Sequence, residues 1–392
     1  MFRVVVRASG ALNDSMKINV IGGGPAGLYF AILMKRHDAS HAITIYERNA
    51  AGDTFGWGVV FSGRTLSNLR AADAESHRRI TERFETWDNV DVLYRDEKIT
   101  IRGNDFAGVA RIALLNILQE RCTELGVELR FGCNVGDVEE LKDCDLLVGA
   151  DGVNSEVRRC YAESFRPTLS EGRNRYIWYG TRQLFHGLTL SFRESGAGTF
   201  AAHSYKFNKE LSTFIVECDE ETWQRSGFTA MSDAETRAHL AGVFERDLGG
   251  HELLSNNSRW VNFLLVKNAR WRHENVVLLG DALHTAHFSI GSGTKLALED
   301  SIALFGCFAA GMDVQAALAG FERVRRPVIE SYQEAATESR IWFEHVKDYT
   351  HLDPLPFAYE LMTRSKKVDF ENVKKRDPRF AADYEAYVKA HA

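Results

Sequence analysis

Cysteine is sparse and scattered in this sequence: six residues in 392, at positions 122, 133, 144, 160, 218 and 307, with no C-x-x-C pair. That spacing argues against a zinc site, so no metal is expected, and against a disulfide framework; it suits a reducing, cytoplasmic setting. No apolar run reaches the roughly 18 residues that a membrane-spanning helix needs, so no membrane partner is expected. Neither sign of charge dominates: 48 Lys and Arg stand against 54 Asp and Glu, a net −6, which gives no electrostatic reason to expect nucleic acid. Internal repeats and low-complexity linkers are also missing. What remains is ordinary in bulk, with 45% hydrophobic and 26% charged residues, and the length suggests two to three structural units. Residues 1–15 carry Arg3 and Arg7 ahead of any acid but no apolar stretch with a cleavage site. They read as a dispensable extension, with Met16 as the natural start.

The glycines are where the pattern becomes specific. Residues 17–21 read as a short buried strand and residues 28–35 as the helix after it, with Gly22-Gly23-Gly24-Pro25-Ala26-Gly27 between them. That is the setting a dinucleotide-binding turn needs. Gly22 permits the tight turn, Gly24 lets the backbone approach a pyrophosphate, and Gly27 lets helix and strand pack closely. Pro25 and Ala26 are counted with the cofactor-binding turn, and the helix after it offers unpaired N–H groups and a positive dipole end to the phosphates. A second strand over 43–46 ends at Glu47, twenty residues after Gly27, with Arg48 beside it. A carboxylate there accepts hydrogen bonds from an adenosine ribose and disfavours a 2′-phosphate, so FAD or NAD fits better than NADP.

Two later stretches repeat the logic. Residues 144–150 run into Asp151-Gly152, and the apolar residues 276–279 run into Gly280-Asp281. A carboxylate just past a strand is placed to hold ribose or ribitol hydroxyls. Gly291 and Gly293 let backbone N–H groups approach an isoalloxazine, and the helix expected over 296–308 points its positive end the same way. Arg111 opens an amphipathic helix over 111–118; it either reaches a phosphate or ribityl oxygen or is a solvated helix-end arginine. Residues 196–201 loosely fit another dinucleotide turn, but the polar residues 193–195 precede them instead of a buried strand, so they read as a loop. A nicotinamide donor then binds transiently, without a Rossmann domain of its own.

Taken in order, residues 22–27, 151–158 and 280–293 resemble the three motifs of the single-component (class A) flavoprotein aromatic hydroxylases, over about residues 16–350. Three further stretches narrow the resemblance: residues 55–62 (Phe-Gly-Trp-Gly-Val-Val-Phe-Ser), 174–181 (Asn-Arg-Tyr-Ile-Trp-Tyr-Gly-Thr) and 287–291 (His-Phe-Ser-Ile-Gly). They are similar to a subgroup acting on activated aromatic rings, which includes salicylyl-CoA 5-hydroxylase, 2-aminobenzoyl-CoA monooxygenase and the violacein-pathway tryptophan hydroxylase. The resemblance implies tightly but non-covalently bound FAD, NADH as transient electron donor and O2 as co-substrate. It also implies hydroxylation of salicylyl-CoA at ring position 5 to gentisyl-CoA, with 2-aminobenzoyl-CoA or a tryptophan-derived indole as alternatives. The aminobenzoyl-CoA enzymes carry a further reductase domain, for which this sequence has no room, and that favours the stand-alone salicylyl-CoA branch. A flavin oxidase or reductase on the same fold is the alternative of another class. The missing W-x-W-x-I-P stretch disfavours a halogenase. Two residues depart from the wider pattern: Phe288 stands where many members have proline, and Lys295 where asparagine is frequent.

The implied chemistry makes two demands. The site must exclude water, and the ring hydroxyl must be polarised or deprotonated, a general-base task worth roughly 10²–10⁴-fold. His287, six residues before Gly293, is the candidate base or hydrogen-bond donor, or else a structural loop histidine. Tyr176 shares a strand face with Trp178, with Tyr179 on the other; the pair is either a pocket wall or plain sheet core. His203 and Tyr205 present the same choice, and Trp57 either covers the flavin or simply packs. Cationic runs at 78–79, 325–326, 366–367 and 374–376 offer charge for coenzyme A phosphates, but none identifies a CoA site.

The expected fold is α/β. A Rossmann-like FAD-binding domain is expected from residues 16–165 and 270–320, with an inserted, mostly antiparallel substrate sheet over 166–269 and a helical C-terminal region over 321–392. Substrate strands are expected at 176–184, 188–192, 199–207 and 211–218. A long helical segment over 316–346 is expected to break near Pro327.

Overall fold

The computed structural model describes residues 15–391, so the extension expected before Met16 lies, but for Ser15, outside the described residues. One sheet has, in spatial order, the strands Arg272–His273, Val276–Leu278, Leu146–Gly149, Lys17–Ile21, Ala42–Tyr46 and Glu128–Arg130. Every neighbouring pair is parallel except the first. Ile18, Val20, Leu146, Val148 and Val277 are fully buried, because a parallel sheet is covered on both faces; this is why its strands read as apolar runs rather than as alternation. Helices Pro25–His37 and Gly293–Ala309 pack against each other in the same core. The three strands that lead into the glycine motifs are adjacent and parallel. Their following turns therefore line up along one carboxyl edge, where open α/β sheets bind ligands.

The second sheet runs Leu253–Leu254, Pro167–Thr181, Ser212–Cys218, Gly198–Lys206, Leu188–Ser195, Val90–Tyr94, Glu97–Ile101, with Val261–Asn268 also paired to Pro167–Thr181. Its ladders are antiparallel except between Leu188–Ser195 and Val90–Tyr94. The expected substrate strands are present, the first beginning nine residues earlier and carrying a register shift between Glu171 and Arg175. Residues 90–101, expected in the FAD-binding half, join this sheet instead. A short strand's composition fixes which face is buried but carries no mark of its partner. Residues 196–201 form no dinucleotide turn: Ser195 pairs with Gly198 across a tight hairpin. Alternation puts Tyr179, Phe200 and Phe214 under helix Asp233–Val243, while Phe192 meets Trp342, Phe343 and Phe357 of the C-terminal helices.

The break expected near Pro327 is absent. Helix Val314–Glu344 is continuous over 31 residues with Pro327 inside it. A proline there removes one backbone donor and crowds the preceding turn. Buried Leu318 and Phe321 before it, and Ile329, Trp342 and Phe343 after it, anchor both halves, and helical stability in proteins comes mainly from such packing. Helices Pro354–Thr363, Phe370–Arg376 and Pro378–His391 complete the chain. All six cysteines are free. Among the described residues no helix is long and apolar enough to cross a membrane.

Candidate active site

The glycines of the first motif divide by what a side chain would meet. Gly22 has φ +111°, and a Cβ there would lie 2.2 Å from the Ala150 carbonyl oxygen; a Cβ on Gly27 would lie 2.3 Å from that of Gly22. Both are steric necessities of the turn and of the strand–helix contact. Gly24 is the N-cap of helix Pro25–His37 with an ordinary φ of −80°, and a Cβ there meets nothing within 4 Å. The same open space lies in front of Gly152 and Gly293. Gly291 has φ +61°, with only Val60 at the 4.0 Å limit of its added Cβ. Glu47 stands at the rim: one oxygen accepts from Gly23 N (2.7 Å), the other from Asn49 N (2.8 Å) and Nδ2 (2.6 Å). A carboxylate has about four acceptor positions, so capacity remains for a ribose hydroxyl. Arg48 is exposed beside it.

Asp151 is spent locally. Its oxygens accept from Ser155 Oγ (2.5 Å), Glu156 N (2.6 Å) and Val157 N (3.2 Å), capping helix Glu156–Cys160. Burial raises its carboxyl pKa and these donors pull it back. Arg158, which sequence reasoning did not single out as a site residue, ties the second motif to the third. Its Nη1 donates to Ala282 O (2.9 Å) and its Nη2 to Val153 O (2.5 Å). The signal was an arginine six residues after the Asp151-Gly152 pair, but carbonyl partners leave no trace in side-chain pattern.

Asp281 has an exposed surface, yet the protein around it raises its carboxyl pKa by burial, an effect Arg111 opposes. A group meets both conditions when it lines an internal opening. Arg111 sits at the start of helix Arg111–Glu124 with its Nε buried and unpartnered, its pKa lowered by burial and supported by Asp281. Among the described residues the site thus offers a guanidinium whose Nε lacks a partner, the Asp281 carboxylate, the open faces of Gly24, Gly152 and Gly293, and a helix N-terminus without a side-chain cap. Phosphates, ribityl hydroxyls and a flat ring supply what each lacks, so the residues fit FAD. Behind Asp281, Asp300 pairs with His284 (2.7 Å) and accepts from Arg325 Nε (2.9 Å) and Gly280 N (3.3 Å). Burial pushes the Asp300 carboxyl up, but His284 and Arg325 prevail and hold it below its usual range. This brace, also missed in the sequence, pins the Gly280-Asp281 turn to helix Gly293–Ala309.

Aromatic rings wall the neighbouring space. The Tyr176 ring lies 4.7 Å from that of Phe288, and Phe288 lies 5.3 Å from His203 and 4.2 Å from His287. Burial, then Asp281 and Glu217, push the Tyr176 hydroxyl up to about 12, so it stays protonated. His203 Nε2 meets buried Glu217 at 2.6 Å, and Asn174 Nδ2 donates to the other Glu217 oxygen (3.0 Å). Burial raises the Glu217 pKa, but His203 and His287 outweigh it and keep the carboxyl below its ordinary value. Glu217 was missed because a carboxylate inside a strand core gives no motif; it stands directly across the ladder from Tyr176. His287 is buried, and that burial brings its pKa down to about 3 despite Glu217; a neutral ring of so low a basicity is suited to donating a proton in a hydrogen bond, not to abstracting one. Tyr205 is structural: its hydroxyl donates to Gly58 O (2.9 Å) and its ring stacks on Trp87. Trp57 packs over Gly180, where an added Cβ would sit 2.7 Å from the indole. Buried Lys295 reaches the Tyr332 hydroxyl, its ammonium 4.4 Å from that ring's centre.

Comparison with known proteins shows the family. The family model described as FAD binding domain matches residues 15–336. Salicyloyl-CoA 5-hydroxylase of a Streptomyces species is 42% identical over 361 residues, covering 89% of this chain and 70% of that protein. Protodeoxyviolaceinate monooxygenase of Chromobacterium violaceum is 38% identical over 363 residues, covering 90% of this chain and 95% of that one. Among solved structures, 2-methyl-3-hydroxypyridine-5-carboxylic acid oxygenase superposes with a TM-score of 0.70 at 18% identity, covering 89% of this chain and 96% of that one. At that identity the likeness concerns the fold alone.

Proposed function

The chain belongs to the FAD binding domain family of flavin-dependent aromatic monooxygenases, and from that premise we propose that it uses NADH and O2 to hydroxylate an aromatic CoA thioester of the salicyloyl-CoA kind at ring position 5. The observation that carries this reading is the adjacency of Arg111 and Asp281 to the wall made by Tyr176 and Phe288, where a flat ring would lie against the flavin. The 42%-identical relative's name, salicyloyl-CoA 5-hydroxylase, supports the substrate class.

When bound, FAD supplies the electron relay from NADH to O2 and the electrophilic oxygen. The chain's residues do the rest. Gly24 and the first turn of helix Pro25–His37 would hold the pyrophosphate, Glu47 a ribose, and Arg111 and Asp281 the phosphate and ribityl oxygens, with the backbone at Gly291 and Gly293 toward the ring. Asp151 and Arg158 keep the motifs in register. Tyr176 and Phe288 orient the aromatic substrate and exclude water. His203 accepts the ring hydroxyl's proton, and the Glu217 carboxylate stabilises the imidazolium; the freed electron density reaches the carbon para to the hydroxyl, which is position 5. The FAD-binding unit we assign to residues 16–165 and 270–320 less residues 90–101, the substrate sheet to residues 166–269 with 90–101, and the helical cover to residues 321–392.

The test is aerobic NADH oxidation by the FAD-loaded protein with product mass, offering salicyloyl-CoA, free salicylate, 2-aminobenzoyl-CoA and tryptophan in turn. Stimulated oxidation with one oxygen added to salicyloyl-CoA, and not to free salicylate, is the expected result. A hydroxylated indole with no response to either thioester overturns it.

A further inference from the structure

We propose that Arg364, Ser339 and Ser289 form a one-way hydrogen-bond chain that fixes His287 as an Nε2–H donor toward an oxygen of the aromatic substrate, which makes Arg364 a positioning residue for the site. The proposal rests on the monooxygenase reading above and assigns a task to a residue outside the flavin motifs. Arg364 follows helix Pro354–Thr363. A guanidinium only donates: its Nε donates to Ser339 Oγ (2.9 Å), its Nη2 to Ser289 O (2.8 Å) and its Nη1 to Leu361 O (2.5 Å). Ser339 Oγ thereby receives, and it lies 2.8 Å from Ser289 Oγ, a contact in which either hydroxyl can donate. In the proposed chain Ser339 donates, the sense in keeping with the Ser289 N–H that also donates to His287 Nδ1. The Ser289 proton then goes to His287 Nδ1, also at 2.8 Å. The Ser289 backbone N–H points at the same Nδ1 from 3.4 Å and has no reverse role. Nδ1 is an acceptor from two directions, so the neutral ring carries its proton on Nε2.

Among the described residues Nε2 has no hydrogen-bond partner, and it is not one of the fully enclosed polar atoms. The ring lies 4.2 Å from Phe288 and 4.9 Å from Phe263. The charged or titratable groups that act on it are Glu217, His203, Arg340 and Arg364. Four polar side chains drawn from three separate elements, buried or nearly so, are costly where hydrocarbon would pack. Their alignment leaves one unused N–H beside the aromatic wall. A phenolate or a thioester carbonyl is the acceptor class that such a donor recognises.

The experiment is an imidazole proton–nitrogen correlation spectrum of the FAD-loaded protein labelled with ¹⁵N-histidine, with His287 assigned by loss of its signal in His287→Gln. The expected wild-type state is a single Nε2–H tautomer. Arg364→Met gives a tautomer mixture and at least a threefold loss of product formed per NADH consumed, with FAD affinity unchanged; Arg364→Lys, also donor-only, recovers the tautomer. If Arg364→Met does not fold, Ser339→Ala breaks the chain by removing one oxygen. An Nδ1–H wild-type ring, or a tautomer indifferent to Arg364→Met and Ser339→Ala, overturns the proposal. The tautomer is read without substrate, so a wrong substrate leaves that result intact while abolishing the NADH response.

Discussion

Replacing Gly24 with alanine separates a binding site from a mere gap. The residue has φ −80° and ψ 178°, a conformation alanine adopts freely, and its added Cβ would touch nothing within 4 Å. Two small and opposite effects act on the apoprotein. Alanine restricts the unfolded chain, which stabilises by about 0.4–1 kcal/mol. It is also a poorer N-cap than glycine, by roughly the same amount. The net change is therefore near zero, a melting shift of about 2 °C or less. The holoprotein is expected to respond differently, because the methyl would stand where the proposed pyrophosphate site meets the helix N-terminus. Displacing the phosphate forfeits dipole and charge-assisted hydrogen-bond interactions that together reach about 2–4 kcal/mol. The FAD dissociation constant rises roughly 30- to 700-fold at about 1.4 kcal/mol per decade. Calorimetry of the apoproteins and titration of FAD by fluorescence quenching measure the two halves. Gly22→Ala is the contrast: with φ +111° and a 2.2 Å clash, it destabilises the apoprotein itself. Equal destabilisation by the two variants, or unchanged FAD affinity in Gly24→Ala, refutes the assignment.

Two further outcomes follow from buried groups. Arg158→Met removes the donors to Ala282 O and Val153 O, and at about 1.5–3 kcal/mol per charge-assisted bond, less the guanidinium's own burial cost, stability in urea falls by about 2–4 kcal/mol; a smaller loss than 1 kcal/mol means the brace is incidental. His287, with a folded pKa lowered to about 3 from an ordinary 6.5, binds fewer protons folded than unfolded between those values. Stability is therefore full above about pH 6.5 and is lost as pH falls toward 3, at up to about 1.4 kcal/mol per pH unit. His287→Gln flattens that slope, and identical slopes for variant and wild type show that the ring is not held neutral.

The parts of the site that were legible in sequence are those where backbone geometry leaves a residue no choice. Gly22 and Gly27 are dictated by contacts of 2.2 and 2.3 Å, and such demands print themselves as glycines at fixed spacing. Strand faces were legible for the same reason: the two-residue period sends Tyr176 toward Phe288 and Tyr179 toward helix Asp233–Val243. The missed residues act across the chain through partners that no local pattern names. Arg158 answers to a carbonyl 124 residues away, and Asp300 to Arg325 on another helix. Glu217 is a charge in a wholly buried strand, where alternation offers no reason to expect one. The expected break at Pro327 failed in the opposite way: a real local penalty was overridden by packing on both flanks.

The two departures from the wider hydroxylase pattern act on one loop. A proline in place of Phe288 would stiffen the turn and contribute little surface, whereas the phenyl ring meets Tyr176, His203 and His287 at once. The loop that carries Gly291 is thereby tied through Phe288 to the aromatic cluster of Tyr176, His203 and His287. Lys295 lies in the first turn of helix Gly293–Ala309, which has neither an acidic residue nor a side-chain cap at that end. A cation there opposes the helix dipole, a cost relieved by the Tyr332 hydroxyl and ring face. What that cost maintains is positive potential around the amides of residues 291–293.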